Sequence, residues 1–136
     1  MQLNPYLFFT GNCMEAFTFY EKVLGGKIIA MMTHKETPAA EHTKSEWQDK
    51  IIHARMTFGD QVLMASDAPP EHHRPMQGFS VSLTVQEPAE ADRIFKAFSE
   101  AGHVTMPIEE TFWAHRFGML VDRFGTPWMI NCEKTQ

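Results

Sequence analysis

The chain has 136 residues, a formal net charge of −5 and a pI near 5.8, which is enough for one compact domain and too little for two ordinary ones. An acidic balance with no Lys/Arg cluster argues against a nucleic-acid partner, because phosphate binding wants a basic patch. With 43% hydrophobic and 21% charged residues the chain is not disordered, and no run of about 18 apolar residues offers a membrane span.

The start, MQLNPYLFF, has no basic residue and an apolar stretch broken by Pro5, so it does not read as a secretory signal. Leu3 to Thr10 is strand-like, and Gly11 ends it. Asn12 is a good N-cap, with Glu15 three residues on completing a box-like helix start. Ala16, Phe17, Tyr20, Val23 and Leu24 form one apolar helix face, and Gly25-Gly26 stop it. Lys27 to Thr33 reads as a second strand. His34 to Asp49 is polar and contains Pro38, which reads as a loop with a short helical turn. Lys50 to Phe58 and Gln61 to Ser66 are strands joined at Gly59-Asp60, a hairpin signal. Asp67 to Gly78 is a proline-rich linker.

The same order then recurs. Phe79 to Val85 is a strand, and Pro88 opens a helix whose apolar face is Ile94, Phe95, Phe98 and Ala101, with Gly102 ending it. Val104 to Glu109 is a strand. Phe112 to Val121 and Thr126 to Asn131 are joined by the turn Asp122-Arg123-Phe124-Gly125. The stretch from Phe58-Gly59 echoes that from Phe124-Gly125, with apolar positions following and an acid closing both. The halves pair at an offset of about 76 through the helices and about 66 through the last hairpins, each reading β-α-β-β-β. The expected fold is α+β, with module one at about 1–67, a linker at about 68–78 and module two at about 79–136.

Two βαβββ modules resemble the vicinal oxygen chelate superfamily, which includes glyoxalase I, bleomycin-resistance proteins and extradiol dioxygenases. The wording is similar to the PhnB-like branch: Asn4-Pro5-Tyr6-Leu7-Phe8-Phe9, Gly11-Asn12, Glu15-Ala16, Phe19-Tyr20, Leu24-Gly25-Gly26, Trp113, Arg116-Phe117-Gly118, Asp122 and Phe124-Gly125-Thr126-Pro127-Trp128-Met129-Ile130-Asn131. The resemblance implies sheets curling around a cleft, often in a homodimer. Some members of the branch carry a ubiquinone methyltransferase label. No glycine-rich loop after a strand is present to hold S-adenosylmethionine, so that label is not adopted.

Strand alternation indicates which side chains face that cleft. Ser80, Ser82 and Thr84 oppose Phe79, Val81, Leu83 and Val85; His53, Arg55 and Thr57 oppose Ile52, Ala54, Met56 and Phe58; Met129 and Asn131 oppose Trp128, Ile130 and Cys132. Metal-binding members of the superfamily take four His, Glu or Gln ligands from the first and fourth strands of each module. By the resemblance those places fall at or near Pro5, His53, Ser80 and Met129, and only His53 ligates a divalent ion well. No metal or other cofactor is therefore expected.

His53 reads equally as a pocket acid/base or ligand contact and as a hydrogen-bonded strand histidine. Arg55 and Arg116 would clamp a carboxylate or phosphonate if both reach the cleft; the alternative is pairing with Glu109, Glu110 or Asp122. Trp113 precedes a strand and is placed to gate the cleft, whereas Trp128 belongs to the helix-facing core. His72 and His73 are adjacent in an extended segment and point apart, so a shared metal is not expected. Cys13 lies near a helix N-terminus, which lowers a thiol pKa, but with no paired base it also reads as a core thiol. With Cys132 at no metal-type spacing, the chain reads as reduced and cytoplasmic.

The leading expectation is a small-molecule-binding protein, homodimeric by the resemblance, holding an apolar or weakly anionic ligand through His53, Arg55, Ser80, Ser82, Trp113, Arg116 and Asn131. The alternative is a metal-dependent lyase, isomerase or dioxygenase with a rearranged site of His53 plus His115 or Glu110. A third reading is a dimeric scaffold without catalysis.

Overall fold

Apolar alternation and glycine punctuation place most elements within two residues of their expected bounds. The structure is a computed structural model and describes residues 1–134. The elements are β1 (Tyr6–Phe9), α1 (Cys13–Leu24), β2 (Lys27–Thr33), β3 (Ile51–Phe58), β4 (Gln61–Asp67), β5 (Val81–Thr84), α2 (Pro88–Ser99), β6 (His103–Glu109), β7 (Ala114–Val121) and β8 (Pro127–Glu133). The fold is α+β, built from two βαβββ modules. The chain divides into two compact units, one of Met1–Arg74 and one from Pro75 onward. No helix among the described residues is long and apolar enough to cross a membrane.

The first unit is an open sheet in the order β1-β4-β3-β2, with β1 parallel to β4 and the other pairs antiparallel. Leu7, Phe9, Ala54, Met56, Leu63 and Ala65 are buried on one face, as are Ala16, Phe17, Tyr20 and Val23 of α1. Burying each large member of that set contributes roughly 1.5–3 kcal/mol. Gly25 caps α1 at φ 74°, a left-handed conformation that only glycine adopts cheaply, and its N–H donates to Glu21 O at 3.0 Å. The 34–49 loop holds three short 3-10 turns, His34–Glu36, Pro38–His42 and Ser45–Trp47, where one was expected.

The start of α1 differs from expectation. The Asn12 side chain makes no capping bond. The helix start is held instead by Asp67, the last residue of β4, which is buried. Asp67 Oδ1 accepts from the N–H groups of Gly11 at 2.8 Å and Cys13 at 3.0 Å, and Oδ2 accepts from the Ile51 N–H at 2.9 Å. A helix start carries orphan N–H groups, and here a strand carboxylate from across the module satisfies one of them.

The second unit repeats the plan in the order β5-β8-β7-β6, with β5 parallel to β8. Ala91, Ile94, Phe95 and Phe98 of α2 are buried, as are Leu120, Trp128 and Ile130 of the sheet. The Phe98 and Trp128 rings lie 4.7 Å apart, so Trp128 is the core residue its alternation indicates. Asp122 organises the last turn: Oδ1 accepts from the N–H groups of Phe124 at 2.8 Å and Thr126 at 3.0 Å, and Oδ2 accepts from the indole N–H of Trp128 at 2.9 Å.

The Phe-Gly echo is real in sequence but out of phase in space. Phe58 ends β3 and pairs with Gln61, whereas Phe124 lies inside the turn between the paired residues Val121 and Pro127. One residue of slip exchanges the two faces of a strand. In space Met64 and Ser66 of β4 therefore match Met129 and Asn131 of β8.

At the end of α2, Gly102 does not supply the left-handed residue. Ala101 does, at φ 59°, and Gly102 is needed because a Cβ there would lie 2.5 Å from Val121 O. An L-residue in the left-handed region costs about 1–2 kcal/mol, partly offset by the entropy glycine loses on folding. Ala101→Gly is thus expected to raise stability by roughly 0.5–1 kcal/mol. Urea unfolding checks this: the midpoint should rise at unchanged slope, and a lower midpoint would refute it.

Candidate functional site

Each sheet has one face turned away from its own helix, and most of the expected polar residues divide between these two faces. On the first sheet, β1 presents Tyr6 and Phe8 beside Met64 and Ser66 of β4. Arg55 of β3 lies opposite Met64 on one side and Ala30 on the other, and His53 lies opposite Met32. The alternation holds here: Ala54 and Met56 are buried, while His53, Arg55 and Thr57 are half-buried.

Two features make this face chemically distinctive. Tyr6 Oη and His53 Nδ1 are hydrogen-bonded at 3.2 Å, with ring centroids 5.9 Å apart. When the Tyr6 O–H donates, the His53 proton sits on Nε2. The second feature is Arg55. Its Nη2 lies 3.4 Å from Met64 Sδ, a weak acceptor, and it forms no ion pair among the described residues. Two of the three carboxylates expected as alternatives are engaged elsewhere: Glu110 with Lys134 Nζ at 3.0 Å, and Asp122 with its turn and Trp128. The Lys134 contact holds Glu110 below the usual carboxylate range. A half-buried guanidinium among Tyr, Met and His side chains has its charge satisfied by nothing fixed, an arrangement that favours an incoming anion.

On the second sheet, Ser82 lies opposite Met129 and Thr84 opposite Asn131. Phe117 and Met119 of β7 pair with Asn131 and Met129 and share their face. Trp113 is 44% exposed and stacks edge-on against Phe117 at 5.3 Å, so it sits at one end of this face. Asn131 Nδ2 is 3.4 Å from Glu133 Oε1, and its buried Oδ1 has no hydrogen-bond donor among the described residues.

One expected member, Arg116, lies elsewhere, and Ser80 stands just outside its strand. Arg116 pairs with Cys132 in the β7–β8 ladder, on the helix side, and its Nε donates to Asp92 Oδ1 of α2 at 2.7 Å. The reason is the strand itself: Gly118 and Leu120 are buried toward the helix on β7, and Arg116 shares their side. Ser80 precedes β5, which begins at Val81. Conversely, Tyr6, Met64 and Phe117 belong to these faces and were not anticipated. Both faces of β1 are apolar, so alternation gave no signal for Tyr6.

The donor chemistry of the faces does not fit the superfamily's metal quartet. His53 stands on β3, the third strand of its module, rather than the fourth. The first and fourth strands present Tyr6, Phe8, Met64 and Ser66 in one unit and Ser82, Thr84, Met129, Asn131 and Glu133 in the other, with a single carboxylate and no imidazole among them. Within neither unit do three described His, Cys, Asp or Glu side chains gather as ligands. The thiols are not reactive candidates either. Burial, reinforced by Asp67, pushes the Cys13 thiol well above its ordinary range, and burial with Glu87 raises that of Cys132.

Comparison with known proteins agrees with this architecture. The model of the Glyoxalase/Bleomycin resistance protein/Dioxygenase superfamily matches residues 2–130. The chain is 38% identical to Protein YjdN of Escherichia coli (strain K12), with 100% of this chain and 98% of that protein covered. It superimposes on protein PA1353 from Pseudomonas aeruginosa with a TM-score of 0.90 at 47% identity, covering 99% of each chain. A PhnB protein from Bacillus cereus gives a TM-score of 0.82 at 24% identity, covering 97% of this chain and 99% of that one, a likeness of fold.

Proposed function

Because the chain belongs to the Glyoxalase/Bleomycin resistance protein/Dioxygenase superfamily, we propose that it is a small-molecule-binding member that works without the four-ligand metal site. The ligand is a small organic anion with an apolar body. Its anionic group seats on Arg55 and is oriented by the Tyr6–His53 pair, and its apolar part lies on Phe8, Met32 and Met64. Ser82, Trp113 and Asn131 form a second polar and aromatic face on the other unit. Arg116 takes no part, because Asp92 already neutralises it. The observation that carries this reading is the Arg55 guanidinium, half-buried and without a counter-charge among the described residues. Membership of the superfamily supplies the fold and not the chemistry, so the proposal is one of binding.

Thermal-shift and calorimetric titration with benzoate, phenylphosphonate and short aliphatic carboxylates test it. At least one of these anions should raise the melting temperature of the wild type. Arg55→Ala should weaken that anion by about 10- to 100-fold, the value of a charge-assisted hydrogen bond at roughly 1.5–3 kcal/mol. Arg55→Lys should retain part of the affinity. Binding that is indifferent to Arg55→Ala, or no binding by any of these anions, defeats the proposal.

A further inference from the structure

The second sheet carries an arrangement that the anion site does not use. Three methionines lie side by side across three neighbouring strands. Met129 of β8 pairs with Met119 of β7, and Met119 pairs with Met106 of β6. Ser82 of β5 closes the row beyond Met129. Directly paired residues on adjacent strands have Cβ atoms about 4.5–5.5 Å apart, so three thioethers rise from one row on the face away from α2. Met119 and Met129 are half-buried, and Met106 is 44% exposed.

The row depends on an irregularity in β6. His103 pairs with Val121 and Val104 with Leu120, but Met106 pairs with Met119, because the register shifts between Val104 and Met106. In a regular ladder Met106 would fall opposite Gly118, on the helix side of the sheet. The extra residue turns it to the face of the other two methionines. Bulges re-aim side chains in this way and are enriched beside functional sites.

We propose that Met106, Met119 and Met129 form a site for a soft monovalent metal ion, Cu(I) in the cell and Ag(I) as its laboratory probe. Thioethers select such ions over hard divalent ones, and unbranched methionine side chains have the freedom to converge on a shared ion. The electrostatics favour this sheet over the other. In the first unit Met64 lies against the Arg55 guanidinium, which repels a cation. Here the nearby strand cation, Arg116, is turned to the opposite face and neutralised by Asp92. The proposal does not rest on anion binding at Arg55, and either can fail alone.

Silver titration of the intact protein, followed by native mass spectrometry and by NMR of the methionine ε-methyl groups, tests it. One Ag(I) per chain is expected, shifting three methyl signals that assign to Met106, Met119 and Met129. Met119→Leu conserves volume and should fold normally, yet weaken Ag(I) by at least 10-fold. The triple leucine variant should lose the site. A Cys13→Ala/Cys132→Ala variant should keep it, which separates thioether from thiol binding. The proposal is overturned if the wild type takes up no Ag(I), if Met119→Leu binds unchanged, or if the cysteine variant alone abolishes binding.

Discussion

Asp67→Ala should lower stability by about 3–5 kcal/mol, the effect expected when one change strips acceptors from several buried donors. Its two oxygens accept three backbone N–H groups, from Gly11, Cys13 and Ile51. Each orphaned buried donor costs about 1–3 kcal/mol, less where water enters. At this chain length the loss corresponds to a melting temperature lower by about 10 °C or more. Asp67→Asn keeps one acceptor oxygen and should fall between the two. Urea unfolding of the three proteins checks the ordering. A loss under about 1 kcal/mol for the alanine variant would mean that water replaces the carboxylate, and that these bonds do not hold the module together.

Asp122→Ala is the second large effect, at about 2–4 kcal/mol. It removes the acceptor for Phe124 and Thr126 N–H in the turn and for the buried Trp128 indole N–H. The indole contribution can be isolated. Trp128→Phe deletes the N–H donor while retaining an aromatic ring against Phe98, 4.7 Å away in the wild type. In a double-mutant cycle the two changes should couple by roughly 1 kcal/mol or more, the double variant being less damaged than the sum. Strict additivity would show that the indole bond contributes nothing and that the turn alone carries the cost.

Much of this architecture was legible because it rests on short-range patterns. The alternation of His53, Arg55 and Thr57 with Ala54 and Met56 reports directly which face packs on the helix, and the glycine after Leu24 marks the helix end. Contacts across the module were not legible. Asn12 has the right chemistry for a cap, and nothing local says that the helix start is held instead by Asp67, far along the chain, through the Gly11 and Cys13 N–H groups. Arg116 was misplaced for a related reason. On β7 the half-buried residues away from the helix include Phe117 and Met119, while Arg116 shares the helix side and finds Asp92 there. Hydrophobicity therefore pointed the wrong way on that strand. The Phe-Gly echo correctly announced two similar halves but concealed the slip between them, because a turn adds its extra residues without changing the words around it.

The irregular β6 has a consequence for how the protein survives in a crowded solution. It is an edge strand of its sheet with apolar Val104 and Met106 exposed, the kind of border on which a neighbouring chain could template itself. Two breaks in register, on either side of Met106, prevent a straight ladder from forming along it. Pro107 withdraws a further donor from the same stretch. The strand can therefore leave oily side chains uncovered without recruiting other molecules into a growing aggregate, since an incoming backbone would lose its hydrogen bonds after a residue or two.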